Sequence, residues 1–148
     1  MRNKVIADDA YALSLFRQAA DLGYKQSQFR LGQAQEYGNL GLPIDNRTSI
    51  MWYSKAAAQG DHQAELALSG WYLTGAEGIL KPSDTEAYLW ARKAAQSEPP
   101  LAKAMFAMGY FSEQGIGCPQ NTEEARKWYG RAAGEFISSS SRSLGLVD

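Results

Sequence analysis

Four segments of this chain end alike, and their spacing is nearly constant. They read Leu15-Phe16-Arg17-Gln18-Ala19-Ala20, Trp52-Tyr53-Ser54-Lys55-Ala56-Ala57, Trp90-Ala91-Arg92-Lys93-Ala94-Ala95 and Trp128-Tyr129-Gly130-Arg131-Ala132-Ala133. The first alanine of each pair falls at 19, 56, 94 and 132, in steps of 37, 38 and 38 residues. A small residue stands one turn before each aromatic or leucine: Ala12, Ser49, Ala87 and Ala125. A second kind of segment lies between the first: Leu31-Gly32 closing at Gly38, Leu68-Ser69 closing at Gly75, Met108-Gly109 closing at Gly115. Such a period restricts the fold sharply. Each unit is one supersecondary element that cannot bury its own apolar face and must stack on its neighbours.

Both kinds of segment have helical spacing. Ala87, Trp90, Ala91, Ala94 and Ala95 recur at i, i+3, i+4, i+7 and i+8, one stripe of an α-helix. Ser83 with Glu86 forms a capping-box pattern, Asn121 with Glu124 a weaker one, and Asp45 is a third candidate cap. All five prolines fall between segments, where no helix has to continue. Gly38, Gly75 and Gly115 are placed to close the first helix of each pair in a left-handed conformation. No stretch alternates long enough to make a strand. The expected order is a lone B helix at 8–22 followed by three A–B helix pairs. The repeats then occupy about 24–60, 61–98 and 99–136 after a partial repeat at 8–23. A Ser-rich disordered tail is expected at 137–148.

Length and charge exclude several functions. A chain of 148 residues is about one domain, and no apolar run approaches the roughly 18 residues that a membrane-spanning helix needs. Fifteen basic against sixteen acidic residues leave a net charge of −1. That balance argues against nucleic-acid binding, which needs a basic domain or patch. A single cysteine, Cys118, and a single histidine, His62, leave most metal and acid–base chemistry short of parts. The expectation is a non-enzyme with no cofactor and no metal. His62 reads as a surface histidine at a helix start. Cys118 reads as an unreactive loop thiol, and the aromatics of the Trp-containing segments read as core packing.

The pairing of A-x3-L-G-x2-Y-x2-G with A-x2-W-Y-x2-A-A-x-G resembles the Sel-1-like repeat, a relative of the tetratricopeptide repeat. The fit is best at Ala64, Leu68, Ser69, Tyr72 and Gly75, followed by Ala87, Trp90, Ala94 and Ala95. The resemblance covers roughly 8–136 and implies an all-α, right-handed solenoid acting as a protein–protein scaffold. A narrower likeness runs through Ala20–Gly32, Pro43-Ile44-Asp45, Arg47–Tyr53, Leu66–Gly75 and Ala102–Phe111. There the chain is similar to the repeat region of fungal chitin synthase activators. That likeness implies an activator of a membrane-embedded chitin synthase, acting in cell-wall chitin and septum formation. It also implies a cytoplasmic protein, held at the plasma membrane or septum through its partner without inserting into the bilayer. Set beside that family, the chain starts inside a repeat and has no prenylation cysteine at its end, as in a partial product or short paralogue. The second reading is a generic adaptor, such as an ubiquitin-ligase cofactor of the endoplasmic reticulum.

What remains for function is a surface. Relative to the anchors Leu31, Leu68 and Met108, the positions two before are Phe29, Leu66 and Phe106. Those two after are Gln33, Gly70 and Tyr110, and those five after are Glu36, Leu73 and Glu113. On helices lining the concave side of a solenoid, these rows face the groove. Phe29, Gln33, Glu36, Leu66, Leu73, Phe106, Tyr110 and Glu113 are the expected partner-binding residues, an apolar patch with a polar rim.

Overall fold

The computed structural model describes residues 2–143, with side chains described for 8–135. Seven helices follow one another among the described residues: α1 (Arg2–Asp21), α2 (Lys25–Tyr37), α3 (Asn46–Ala58), α4 (His62–Thr74), α5 (Asp84–Ala95), α6 (Ala102–Gln114) and α7 (Thr122–Ser143). Each packs mainly on its neighbours in sequence, so the three pairs α2–α3, α4–α5 and α6–α7 stack behind α1. The architecture is the all-α solenoid that the period demands. Among the described residues the one β-type pairing is an isolated bridge, Ala76 to Leu80, in the loop after α4.

The helix starts carry the expected chemistry. Asp45 accepts from the backbone N–H of Thr48, Asp61 from Ala64, Ser83 from Glu86 and Asn121 from Glu124. Each satisfies a donor that the first turn of a helix leaves open. The Thr48 hydroxyl also donates to Asp45, and these bonds hold its carboxyl below the usual carboxylate range. Gly38 and Gly115 close α2 and α6 in the left-handed region, as expected. Gly75 departs from that expectation. Its φ of 72° is positive, but its ψ of 174° extends the chain away from the helix. The strand-like turn Ala76–Leu80 follows at once, and a Cβ at Gly75 would stand 2.7 Å from the Pro82 ring.

Two boundaries differ from the sequence expectation. Helix α1 starts at Arg2, well before 8, because nothing between Arg2 and Asp8 breaks a helix. At the other end α7 continues through 137–143, where a disordered tail was expected. Serine is only a weak helix opponent and no glycine or proline interrupts the run. The rest of the expected tail, 144–148, lies outside the described residues.

The core is built of small residues. Ala56, Ala57, Ala64, Ala87, Ala91, Ala94 and Ala104 have no exposed surface, and Leu31, Tyr53, Leu68, Met108 and Phe111 fill the space that close approach leaves. The expected core role of the tryptophans holds fully for Trp128 alone. Trp52 and Trp90 are half-buried, with Lys55 and Lys93 about one turn on covering their outer faces at 5.0 and 5.3 Å. Trp128 carries Arg131 in the same way at 4.8 Å. These are cation–π contacts.

Candidate functional site: a groove along the A helices

The first helix of each pair turns one face inward and leaves its opposite rows outward. Three aligned positions decide what those rows look like. In the first pair Phe29, Gly32 and Glu36 of α2 meet Tyr53 of α3. The Tyr53 ring presses on Gly32, tilts against Phe29 at 5.7 Å between centroids, and sends its hydroxyl to Glu36 Oε1 at 3.1 Å. The third pair repeats the arrangement with Phe106, Gly109 and Glu113 around Tyr129. There the centroids are 5.2 Å apart and the hydroxyl lies 2.6 Å from Glu113 Oε2. The middle pair changes every member together: Leu66, Ser69 and Leu73 stand opposite Ala91.

The serine hydroxyl that ties the two helices in the first and middle pairs moves with this exchange. Ser49 on α3 donates to the Gly32 carbonyl on α2 at 2.7 Å. In the middle pair the aligned positions swap roles, and Ser69 on α4 donates to the Ala87 carbonyl on α5 at 2.6 Å. The bulk of a tyrosine next to glycine is thus replaced by alanine next to serine.

The principal groove, of about 660 Å³, lies between α2, α4 and the start of α6. Phe29, Gln33, Glu36 and Tyr53 form one wall, Leu66, Gly70 and Trp71 the floor, and Leu101, Ala102 and Lys103 the far wall. A smaller cavity of about 590 Å³ lies beyond, around Phe106, Glu113 and Tyr129. Ala102 and Lys103 line both, so the two adjoin at the start of α6. Four of the eight expected residues line the first cavity and Phe106 and Glu113 the second. The phenylalanines serve two purposes: each leans on a tyrosine of the B helix and each shows a face to the groove. Phe106 is 59% exposed.

Two expected residues are not in either cavity. Leu73 is half-buried and packs against the core cluster of α5–α7, since no tyrosine stands opposite to call for a carboxylate. Tyr110 is exposed, beside Phe111 at 6.2 Å between centroids. Gly70 lies on a groove-facing row as expected, whereas sequence reasoning missed Trp71, Leu101 and Lys103 as lining residues of the principal groove. Each row lies on a single helix, whereas the groove is bounded by α2, α3, α4 and the start of α6.

The remaining titratable groups fall into place around this frame. Hydrogen bonding to Glu113, with burial beside it, pushes the Tyr129 phenol up to about 12. Burial, with the Glu36 charge beside it, raises Tyr53 further. His62 is not the simple surface histidine expected: its Nδ1 lies 2.6 Å from Oε1 of Glu65, a carboxylate with no exposed surface. Cys118 is partly buried, which raises its thiol and keeps it in the unreactive protonated form. Among the described residues no group of three or more His, Cys, Asp or Glu could hold a metal. Among the described residues no helix is long and apolar enough to cross a membrane.

Comparison with known proteins agrees with this architecture. The Sel1 repeat model matches residues 3–24, 25–61, 62–98 and 102–134. A chitin synthase regulator of Malassezia restricta is 49% identical over 130 residues, covering 88% of this chain and 9% of that protein. Chitin synthase regulatory factor 3 of Schizosaccharomyces pombe is 45% identical over 143 residues, covering 97% of this chain and 15% of that one. This chain therefore spans only a small part of the length of these relatives. Among solved structures, a Sel1 repeat protein from Oxalobacter formigenes superposes with a TM-score of 0.73 at 33% identity, covering 82% of this chain and 89% of that chain. The chain belongs to the Sel1 repeat family, whose stacked helix pairs form a non-catalytic protein-interaction scaffold.

Proposed function

We propose that this chain is the partner-docking part of a chitin synthase regulator, and that it holds the synthase, or a subunit bound to it, through the groove on its A helices. The observation that carries this reading is the joint one of sequence and surface. The chain is 45–49% identical to parts of proteins named for chitin synthase regulation, and a groove with an apolar floor runs between its three successive A helices. A channel of that size lined by Phe29, Leu66 and Trp71 suits a segment of polypeptide. Regulation then consists of bringing the enzyme to its site and holding it there. The protein works in the cytoplasm and reaches the plasma membrane or septum through its partner.

The test uses the full-length regulator carrying Phe29→Ser and Phe106→Ser, with chitin synthase detected after affinity purification. The expected result is normal helicity and loss of the synthase. Retention of the synthase by a well-folded double variant overturns docking through the groove.

A further inference from the structure

The groove is not electrically uniform. It runs the length of α4 from Gln63 to Thr74, about 16 Å at 1.5 Å per helical residue. At one end stands Glu36, next to last in α2, and at the other Lys103, second in α6. Among the described residues neither forms an ion pair; the Glu36 carboxylate accepts the Tyr53 hydroxyl and lies beside that of Tyr37. The adjoining cavity has the same sense, with Glu113 near the end of α6 and the shared Lys103 at its start.

The start of α6 adds to the positive pole. Helices α3, α4, α5 and α7 are each capped by a side chain, from Asp45, Asp61, Ser83 and Asn121. Leu101, at the N-cap of α6, offers no side-chain cap, and it lines the groove together with Ala102 and Lys103. An uncapped first turn presents free N–H donors and the positive end of the helix dipole. A carboxylate there would both pair with Lys103 and cap the helix.

We infer that the groove takes a bipolar segment of the partner polypeptide: an apolar middle, a Lys or Arg over Glu36, and an Asp or Glu over Lys103 and the start of α6. This rests on the groove being the docking site. The charges fix which way the segment lies, while Phe29, Leu66 and Trp71 supply the contact area.

The probe is a phage-displayed library of random 12-residue peptides, selected on the purified chain and counter-screened on Gly70→Trp, which fills the groove floor. Synthetic consensus peptides are then titrated calorimetrically against the chain. Two double-mutant cycles follow. One pairs Glu36→Gln, which keeps an acceptor for Tyr53, with neutralisation of the peptide's basic residue. The other pairs Lys103→Met with neutralisation of its acidic residue. The expected result is Gly70→Trp-sensitive peptides with opposite charges flanking apolar residues. Each single change should weaken binding about three- to tenfold, and the second change in each cycle should add little. Groove-binding peptides without the two charges, or cycles without coupling, overturn the bipolar assignment and leave the groove standing. If no peptide is sensitive to Gly70→Trp, the groove reading fails and the assignment fails with it.

Discussion

Gly32 and the ring of Tyr53 leave no room for a side chain between them: a Cβ built on Gly32 stands 2.6 Å from the ring's Cδ1 and 2.7 Å from Cε1. Tyr53 is 1% exposed, so its ring cannot swing aside. Gly32→Ala is expected to destabilise the chain by about 1–3 kcal/mol, the usual range for overpacking. Gly70, also mid-helix, has nothing within 4 Å of an added Cβ. Gly70→Ala should therefore stabilise by about 0.5–1 kcal/mol through helix propensity alone. Chemical denaturation of the two variants checks the opposite signs. Combining Gly32→Ser with Tyr53→Ala, the pairing of the middle repeat, should cost less than the sum of the single changes.

A second expectation concerns the buried carboxylate. Glu65 has one oxygen near His62, while the other lies 3.9 Å from Lys93 with no hydrogen bond. The aligned residues are Gln28 and Met105, both buried. Glu65→Met should be neutral or stabilising, by up to about 1–4 kcal/mol, because it removes a buried carboxyl group with one oxygen left without a hydrogen bond. His62→Ala should destabilise by about 1–3 kcal/mol, because it leaves the second oxygen of this buried group without a partner as well. Thermal melts that rank the two the other way would contradict this assignment.

Alkaline titration tests the tyrosine–glutamate pairs. The Tyr129 phenol sits at about 12 in the folded chain, against about 10 for an unfolded tyrosine. Its contribution to stability is complete below pH 10 and is lost as the pH rises through the folded value, since the unfolded chain gives up its proton first. Phenolate absorbance should show Tyr129 and Tyr53 titrating late. In Glu113→Gln, Tyr129 should move back toward its ordinary value.

Packing and docking residues should separate cleanly. Trp128→Ala removes a buried indole and should cost about 3–5 kcal/mol. Trp90 is half-buried, so Trp90→Ala should cost clearly less. Phe29→Ser and Phe106→Ser should leave the circular dichroism spectrum intact. If the Phe pair melts the chain as severely as Trp128→Ala does, those rings are core.

Most of the fold was legible because period and capping act locally. Asp45, Ser83 and Asn121 cap the helices expected of them, and the Ala19, Ala56, Ala94 and Ala132 spacing locates the B helices before any contact is known. The site was only half legible. Glu36 and Glu113 look like rim charges on a helical wheel, yet each also holds a tyrosine hydroxyl from the next helix. Lys103 and Leu101 reach the groove because α6 starts beside α4, a placement that no single-helix pattern contains. His62 looks solvated because nothing at its own helix start signals that Glu65, aligned with buried Gln28 and Met105, is buried beside it. Comparing the three repeats at that one column would have revealed it.

The exchange of tyrosine-on-glycine for alanine-on-serine fixes where the chain can be recombined. Complementary residues always sit on the two helices of one pair: Gly32 with Tyr53, Ser69 with Ala87, Gly109 with Tyr129. A chimera joined in the A–B loops, near Asn39 or Gly78, would set a tyrosine ring against serine or leave a void against glycine. One joined in the B–A turns, near Gly60, would carry each matched pair across intact. The natural cassette for shuffling binding surfaces in this scaffold is thus the helix pair, and its seams are the short turns that follow the paired alanines.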